Sequence, residues 1–121
     1  MKIFHGTDNA NILRPTVLTL GVFDGLHLGH QRIMTTVAER AKAVGAISTA
    51  ITFDPHPRAV LHPESAPPLL QTLDQRLANF EVLEIEQAIV IPFDRDFASQ
   101  PAEEFISGII RDRLHAMEVH L

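Results

Sequence analysis

Two histidines, His27 and His30, lie three residues apart in the segment GVFDGLHLGHQ, residues 21–31. An apolar run precedes them, and apolar residues at helical spacing follow. In the first turn of a helix such a pair shares a face, and the N–H groups there lack intrahelical partners and attract anions. Gly25 permits a sharp exit from a strand, and Gly29, having no Cβ, lets a ligand approach the backbone. The pattern therefore predicts a polyphosphate site to which both imidazoles contribute donors.

Two other interpretations of the histidine pair are open. His27 and His30 are compatible with ordinary capping or surface roles. They are also suitable metal ligands together with Asp24 and His56. Helical zinc pairs more often lie four residues apart, and no third ligand has a fixed local spacing. The glycines and the strand-to-helix junction favour the anion site.

The elements that must position this pair alternate between strand and helix patterns. The sequence predicts strands at 17–23, 46–53 and 88–91, with further extended runs at 1–5 and 117–121. It predicts a helix over 28–44 ended by Gly45, a second after the capping-box residues 72–75, and a third with Pro101 at its first position. The apolar stripe of the third helix is Phe105, Ile106, Ile109, Ile110 and Leu114.

This alternation predicts an α/β fold: a Rossmann-like parallel sheet with helices on both faces. Ligands of such sheets bind outside the carboxyl ends of the strands, where the histidine motif falls. Residues 54–71 hold five of the eight prolines and show no element pattern. A long irregular segment in a compact domain is often functional, so we expect a substrate loop beside the motif.

Composition limits the possible classes of protein. The 121 residues suit one domain, and no apolar run is long enough to span a bilayer. There is no cysteine and no signal-peptide pattern, which favours a soluble cytoplasmic protein. The net charge of −5 without a Lys/Arg cluster argues against nucleic-acid or membrane partners. The chain ends at Leu121 within an extended run, which predicts that 1–121 is an incomplete domain.

Several other groups have an ordinary structural interpretation. Asp94, Arg95 and Asp96 are typical of a solvated turn, and His62, His115 and His120 of surface positions. Four phenylalanines are expected in the core rather than at a cofactor: Phe80, Phe93, Phe97 and Phe105.

Three segments resemble one family in the order in which that family has them. GVFDGLHLGH (21–30) resembles the signature of the HIGH-motif nucleotidyltransferase superfamily. TFDPHPR (52–58) is similar to a segment of the bacterial FAD synthetases, as is VIPFDRDFASQPAEEFI (90–106). The resemblance covers most of the chain and implies a fold of the nucleotidyltransferase type.

The resemblance also implies a reaction and its residues. The reaction is adenylyl transfer from ATP, with Mg²⁺, to FMN, giving FAD and pyrophosphate. The implied catalytic residues are His27 and His30, which would bind the ATP phosphates. The implied nucleotide pocket adds Gly21, Phe23, Asp24, Gly25 and Gly29, and the implied FMN contacts are His56, Pro57, Arg58 and Leu61. No protein ligand to a metal is assigned. The parent chain would carry a C-terminal riboflavin kinase domain.

The chain departs from the family pattern at three places. Val22 replaces a frequent asparagine, and Leu61 replaces a frequent aromatic residue. The family's later GxxFxFG-like and Ser/Thr-Arg segments have no counterpart before Leu121. Two alternative functions remain open. One is another HIGH-motif transferase, such as a cytidylyltransferase or pantetheine-phosphate adenylyltransferase, against which the TFDPHPR segment argues. The other is a non-catalytic flavin- or nucleotide-binding module, which the missing later segments would favour.

Overall fold

A five-stranded parallel sheet forms the centre of the computed structural model, which describes residues 1–6, 14–66 and 68–121. The strands are β1 (Lys2–His5), β2 (Thr16–Leu20), β3 (Ile47–Asp54), β4 (Gln87–Pro92) and β5 (Ala116–His120). Their order is β1-β4-β3-β2-β5, and every neighbouring pair is parallel. The predicted parallel sheet is confirmed, and the two terminal extended runs are its edge strands.

Helices cover both faces of the sheet, as the sequence predicts. They are α1 (Leu28–Val44), α2 (Pro57–Leu61), α3 (Leu73–Val82), α4 (Arg95–Ser99) and α5 (Ala102–Glu104), and α5 continues as a π-helix (Phe105–Arg113). Successive residues of a strand point to opposite faces, so Val17 enters one core and Leu18 the other. The first core contains Met34 of α1 and Phe80 of α3, and the second contains Ile110 of the π-helix.

The sheet order determines where a ligand can enter. From β2 the chain moves to β3 and β4 on one side, and β5 then pairs on the other side of β2. A reversal of this kind leaves a crevice at the carboxyl end of the strand where it occurs. The turn that follows β2 therefore lies at the position where open α/β sheets bind ligands.

The termini of two helices agree with their sequence signals. Gly45 ends α1 in the left-handed conformation at φ 71°, which glycine adopts at little cost. Thr72 and Gln75 form the predicted capping box of α3, with Thr72 Oγ1 accepting from the Gln75 N–H at 3.1 Å. Pro101 precedes the first residue of α5 instead of occupying it.

Four further local predictions are wrong. The strand predicted over 17–23 ends at Leu20, because Phe23 adopts a left-handed conformation that no strand accommodates. The expected irregular segment 54–71 contains α2, and the expected turn at 94–96 caps and begins α4. Ile106 is exposed, because this helix packs Phe105, Ile109, Ile110 and Leu114 against the second core and leaves Ile106 outside it.

No helix in the described parts of the chain is both long enough and apolar enough to cross a membrane.

An ion pair joins α1 to the edge strand β5. The Arg40 guanidinium donates to both carboxylate oxygens of Glu118 at 3.0 and 2.7 Å, and His120 Nε2 lies 2.9 Å from the same carboxylate. The hydrogen bond from Arg40, followed by that from His120, lowers the pKa of Glu118 from 4.5 to about 2. His120, expected at the surface, is partly buried in this cluster.

This ion pair predicts a pH dependence of stability. Because the pKa of Glu118 is lower in the folded chain, its contribution is complete above about pH 4.5 and is lost as the pH falls toward 2. We expect Glu118→Gln to lower the melting temperature at pH 7 and the difference from wild type to vanish near pH 2. Thermal unfolding between pH 2 and 7 measures this, with Glu39→Gln as the control on α1. A difference that does not change with pH would contradict the prediction.

Candidate active site

The candidate site is the turn between β2 and α1, residues 21–27. Two residues of this turn have a left-handed backbone conformation: Phe23 at φ 57° and Gly25 at φ 72°. The second confirms the expected sharp exit at a glycine. The first is unusual, because a bulky side chain at positive φ costs about 1–2 kcal/mol. Burial of the Phe23 ring, which is only 5% exposed, offsets that cost.

The Phe23 ring is the support on which the turn is built. It makes edge-to-face contacts with Phe80 at 5.6 Å and with His30 at 5.3 Å between ring centroids. A Cβ added to Gly21 would lie 3.1 Å from the same ring, so glycine at this position lets the ring pack against the backbone. The structure thus gives Gly21 and Phe23 packing roles, and their contact with a nucleotide stays a prediction.

The two histidines lie side by side at the start of α1. Their ring centroids are 5.3 Å apart, and the His27 N–H points to Nδ1 of His30 at 3.4 Å. A neutral imidazole that accepts at Nδ1 carries its proton on Nε2, so His30 keeps one donor. His27 is exposed and His30 is half-buried. The structure therefore places both rings near a strand end, outside the hydrophobic core.

Backbone donors complete this end of the helix. The first intrahelical bond of α1 runs from the Gln31 N–H to the His27 carbonyl at 2.9 Å. The N–H groups of Leu28 and Gly29 precede that bond and have no helical acceptor. Gly29 is exposed, and a Cβ there would meet no protein atom within 4 Å. Together with the positive end of the helix dipole, these groups form a surface suited to an anion.

Asp24 braces the turn against the segment before α3. Its carboxylate accepts the N–H groups of Leu70 at 2.8 Å and Gln71 at 2.8 Å, and the Gly25 N–H donates to Gln71 Oε1 at 3.1 Å. The predicted place of Asp24 in the nucleotide pocket stays a prediction.

A metal centre is the other interpretation of the histidine pair and Asp24. Within residues 1–6, 14–66 and 68–121, no group of three His, Asp or Glu side chains is arranged to hold a metal ion.

The residues expected at FMN lie on α2, which follows the carboxyl end of β3. His56 caps this helix, its Nδ1 accepting from the Arg58 N–H at 3.0 Å, and Pro57 takes the first helical position. Arg58 is exposed, and Leu61 at the end of α2 is 39% exposed. Leu61 lines an apolar cavity.

That cavity is apolar and has a volume of about 310 Å³. It lies at the carboxyl ends of three strands, where Leu20, Phe53 and Phe93 form part of its wall. Phe97 and Phe105 also line it. The expected core position is correct for Phe80, which is fully buried. Phe97 and Phe105 are partly buried and pack against the second core, whereas Phe93 is partly buried beside Phe97 and is not part of that core. Phe93 directly follows β4 and Phe97 lies in the next helix, and this proximity to a strand end was the sequence signal for the cavity.

Arg76 is a residue of the site that the sequence patterns do not identify. It lies on α3 with 1% of its surface exposed. Its Nη1 donates to the carbonyls of Val22 at 2.9 Å and Phe53 at 3.2 Å. It therefore contacts both the histidine turn and the end of β3.

An open parallel sheet with an anion-binding helix terminus at its strand reversal defines the class of Rossmann-like α/β domains. The particular family follows from comparison with known sequences. The FAD synthetase family profile matches residues 9–121, and the chain belongs to that family.

Two curated relatives show the extent of the similarity. The chain is 34% identical over 116 residues to the bifunctional riboflavin kinase/FMN adenylyltransferase of Haemophilus influenzae. It is 35% identical over 118 residues to the protein of the same name from Pseudomonas fluorescens. These alignments cover 95% and 94% of this chain but 38% and 37% of the two relatives. The chain thus spans less than two fifths of their length.

A solved structure shares the fold. It is a crystal structure described as a macrolide-efflux protein from Streptococcus pneumoniae, with a TM-score of 0.84 over 98% of this chain and 40% of that one. The sequence identity is 23%, so this likeness concerns the fold alone.

Proposed function

We propose that this chain carries the FMN adenylyltransferase site of a FAD synthetase. The observation that carries the proposal is the pair His27 and His30 at the start of a 17-residue helix, directly beyond the carboxyl end of β2. Family membership supports the choice of ATP–Mg²⁺ and FMN as substrates. In the reaction a phosphate oxygen of FMN attacks the α-phosphorus of ATP, the bond to the β-phosphate oxygen breaks, and pyrophosphate leaves.

The chemistry fits the groups present. The nucleophile is already anionic, so the protein needs no general base and no covalent intermediate. Catalysis consists of alignment and of stabilising the charge that develops on the phosphates. The imidazole donors and the free first-turn N–H groups of α1 supply that stabilisation. In a chain of net charge −5 such local positive groups are needed to hold a triphosphate.

The apolar cavity supports a position for FMN. Its wall of leucine and phenylalanine side chains suits the flat flavin ring, and it lies beside α2 at the carboxyl edge of the sheet. We place the ring against Leu61 and the phenylalanines, with the FMN phosphate directed toward the histidine turn. In this arrangement His56, Pro57 and Arg58 lie at the entrance to the FMN cavity.

The wider setting belongs to the same proposal. The relatives' names combine the adenylyltransferase with a riboflavin kinase, an activity that produces FMN. We propose that the natural protein carries such a unit and works in the cytoplasm on these small molecules.

Titration of FMN and ATP–Mg²⁺ separately onto the 121-residue chain and onto the natural full-length protein, with FAD followed by chromatography, tests the function. We expect the chain to bind FMN and the full-length protein to bind both substrates and to form FAD when they are mixed. Binding of FMN by the full-length protein without FAD formation would favour the non-catalytic module. Turnover of CTP or phosphopantetheine in place of ATP or FMN would favour the other transferases.

Replacement of Leu61 tests the place of the flavin. Leu61→Ala removes apolar surface from the cavity wall, and losing contact with one to two methylene groups costs about 0.8 kcal/mol each. We therefore expect the Kd of FMN to rise about 4- to 15-fold and the Kd of ATP to change less than about twofold. Leu69→Ala is a matched control, since Leu69 is similarly exposed but does not line the cavity. Calorimetry measures both constants, and equal weakening of both ligands would place FMN elsewhere.

A further inference from the structure

Arg76 is a buried cation. With 1% of its surface exposed it is the largest fully buried side chain of the described residues. Arginine is rarely buried to this extent without a tightly bound counter-charge, because removing a charge from water is costly. The surroundings of this side chain therefore need an explanation.

Its hydrogen bonds join two segments of the site. Nη1 donates to the Val22 carbonyl at 2.9 Å, to Thr52 Oγ1 at 3.0 Å and to the Phe53 carbonyl at 3.2 Å. The Thr52 hydroxyl in turn donates to the Val22 carbonyl at 2.9 Å. Val22 belongs to the histidine turn, and Phe53 leads into α2. One guanidinium thus connects the carboxyl ends of β2 and β3.

Its charge is only loosely balanced. Nη2 lies 3.6 Å from Asp54 Oδ1, and the Asp54 side chain is 45% exposed. The Arg76 Nε is buried without a hydrogen-bond partner in the described chain. An ion pair this long, with one partner buried, contributes little to the stability of the fold. The arrangement therefore favours a role in holding the two segments in one geometry.

We propose that Arg76 is a positioning residue that sets the distance between the ATP-binding turn and the FMN-binding segment. This inference rests on the proposed function, in which the first segment holds the ATP phosphates and the second helps to hold the flavin ring of FMN, whose phosphate attacks the α-phosphorus. Arg76 does not touch either substrate. It fixes the backbone from which His27 and Leu61 are presented. In a reaction governed by alignment, a misplacement of about 1 Å can cost about 10²-fold in rate.

Three variants of the natural full-length protein test the inference. Arg76→Met removes the donors, and Arg76→Lys keeps the charge with a single nitrogen. Leu77→Ala removes a buried apolar neighbour on α3 whose side chain donates no hydrogen bond to either segment. For R76M we expect kcat for FAD formation to fall about 10- to 100-fold, while the Kd of each substrate alone changes less than about 5-fold. The kcat of R76K should lie between those of R76M and wild type. L77A should destabilise the fold but keep kcat within about threefold.

Hydrogen exchange of backbone amides provides a readout independent of the reaction. In R76M the backbone amides of residues 21–27 and 52–61 should exchange at least about tenfold faster than in wild type. In L77A any faster exchange should extend beyond these two segments. Unchanged exchange in both segments of R76M, or a loss of kcat in L77A equal to that in R76M, would overturn the inference. Failure of wild type to form FAD would instead overturn the proposed function and leave the exchange result as the test of Arg76.

Discussion

Replacement of His27 with alanine should lower kcat for FAD formation by about 10²–10³-fold. This is the effect of removing one donor that stabilises charge in the transition state. The folded state should change little, because the His27 ring is exposed and lies outside the hydrophobic core. The KM values of ATP and FMN should change much less than kcat. Steady-state kinetics on the natural full-length protein, with unfolding curves for both forms, measure the two effects.

Replacement of His27 tests the loss of a donor more directly than replacement of His30. His30 packs against Phe23 and accepts the His27 N–H, so its replacement would disturb the turn as well as remove a donor. His62→Ala is a suitable control, since His62 is an exposed histidine that pairs only loosely with Glu64, at 3.8 Å. An unchanged kcat in H27A, or the same loss in the control, would remove His27 from the proposed mechanism.

The regular elements of this fold were predictable because their signals are local. The bounds of α1 agree with the prediction at both ends, since its apolar stripe is long and Gly45 ends it in a left-handed conformation. The parallel sheet follows from strands that are apolar on both faces. The short helices α2 and α4 were missed because five residues give little periodicity, and α2 lies among prolines. The π-helix was missed because its period differs from the one assumed.

The site was predictable to the extent that it is contiguous in sequence. His27 and His30 reach the carboxyl end of β2 because strand, turn and helix follow one another directly. The contacts of Asp24 with residues 70–71 span 46 and 47 positions, and that of Arg76 with Val22 spans 54. No spacing rule connects residues so far apart. The aromatic cavity likewise forms only when the ends of β2, β3 and β4 come together.

The arrangement of charge explains why the site depends on backbone and imidazole donors. The turn holds its acidic residue, Asp24, with two backbone N–H groups, which reduces the repulsion that a free carboxylate would exert on a phosphate. The only buried arginine of the described residues lies beneath the turn and not at its surface. Within the turn and the start of α1, the groups that can meet an anion are the histidine rings and the first N–H groups of α1.

Replacement of Gly29 with alanine should strengthen the fold and weaken ATP binding. In the free chain an added Cβ meets no protein atom within 4 Å, and alanine favours the helix, so we expect the free energy of unfolding to rise by about 0.4–1 kcal/mol. In the complex the same Cβ would keep the phosphates from the first-turn N–H groups. Losing one hydrogen bond to a charged group costs about 1.5–3 kcal/mol, which corresponds to about a 10- to 100-fold rise in the Kd of ATP.

The opposite signs of these two effects distinguish a ligand contact from a structural role of Gly29. Gly108→Ala is the matched control, because a Cβ at Gly108 also meets no atom within 4 Å and the residue lies in the π-helix, away from the turn. We expect the control to leave the Kd of ATP within about twofold of wild type, and G29A to leave the Kd of FMN unchanged. Urea unfolding and calorimetry give the three quantities. If G29A bound ATP as tightly as wild type, the phosphates would not lie against the start of α1, and the polyphosphate site would have to be placed elsewhere along the carboxyl edge.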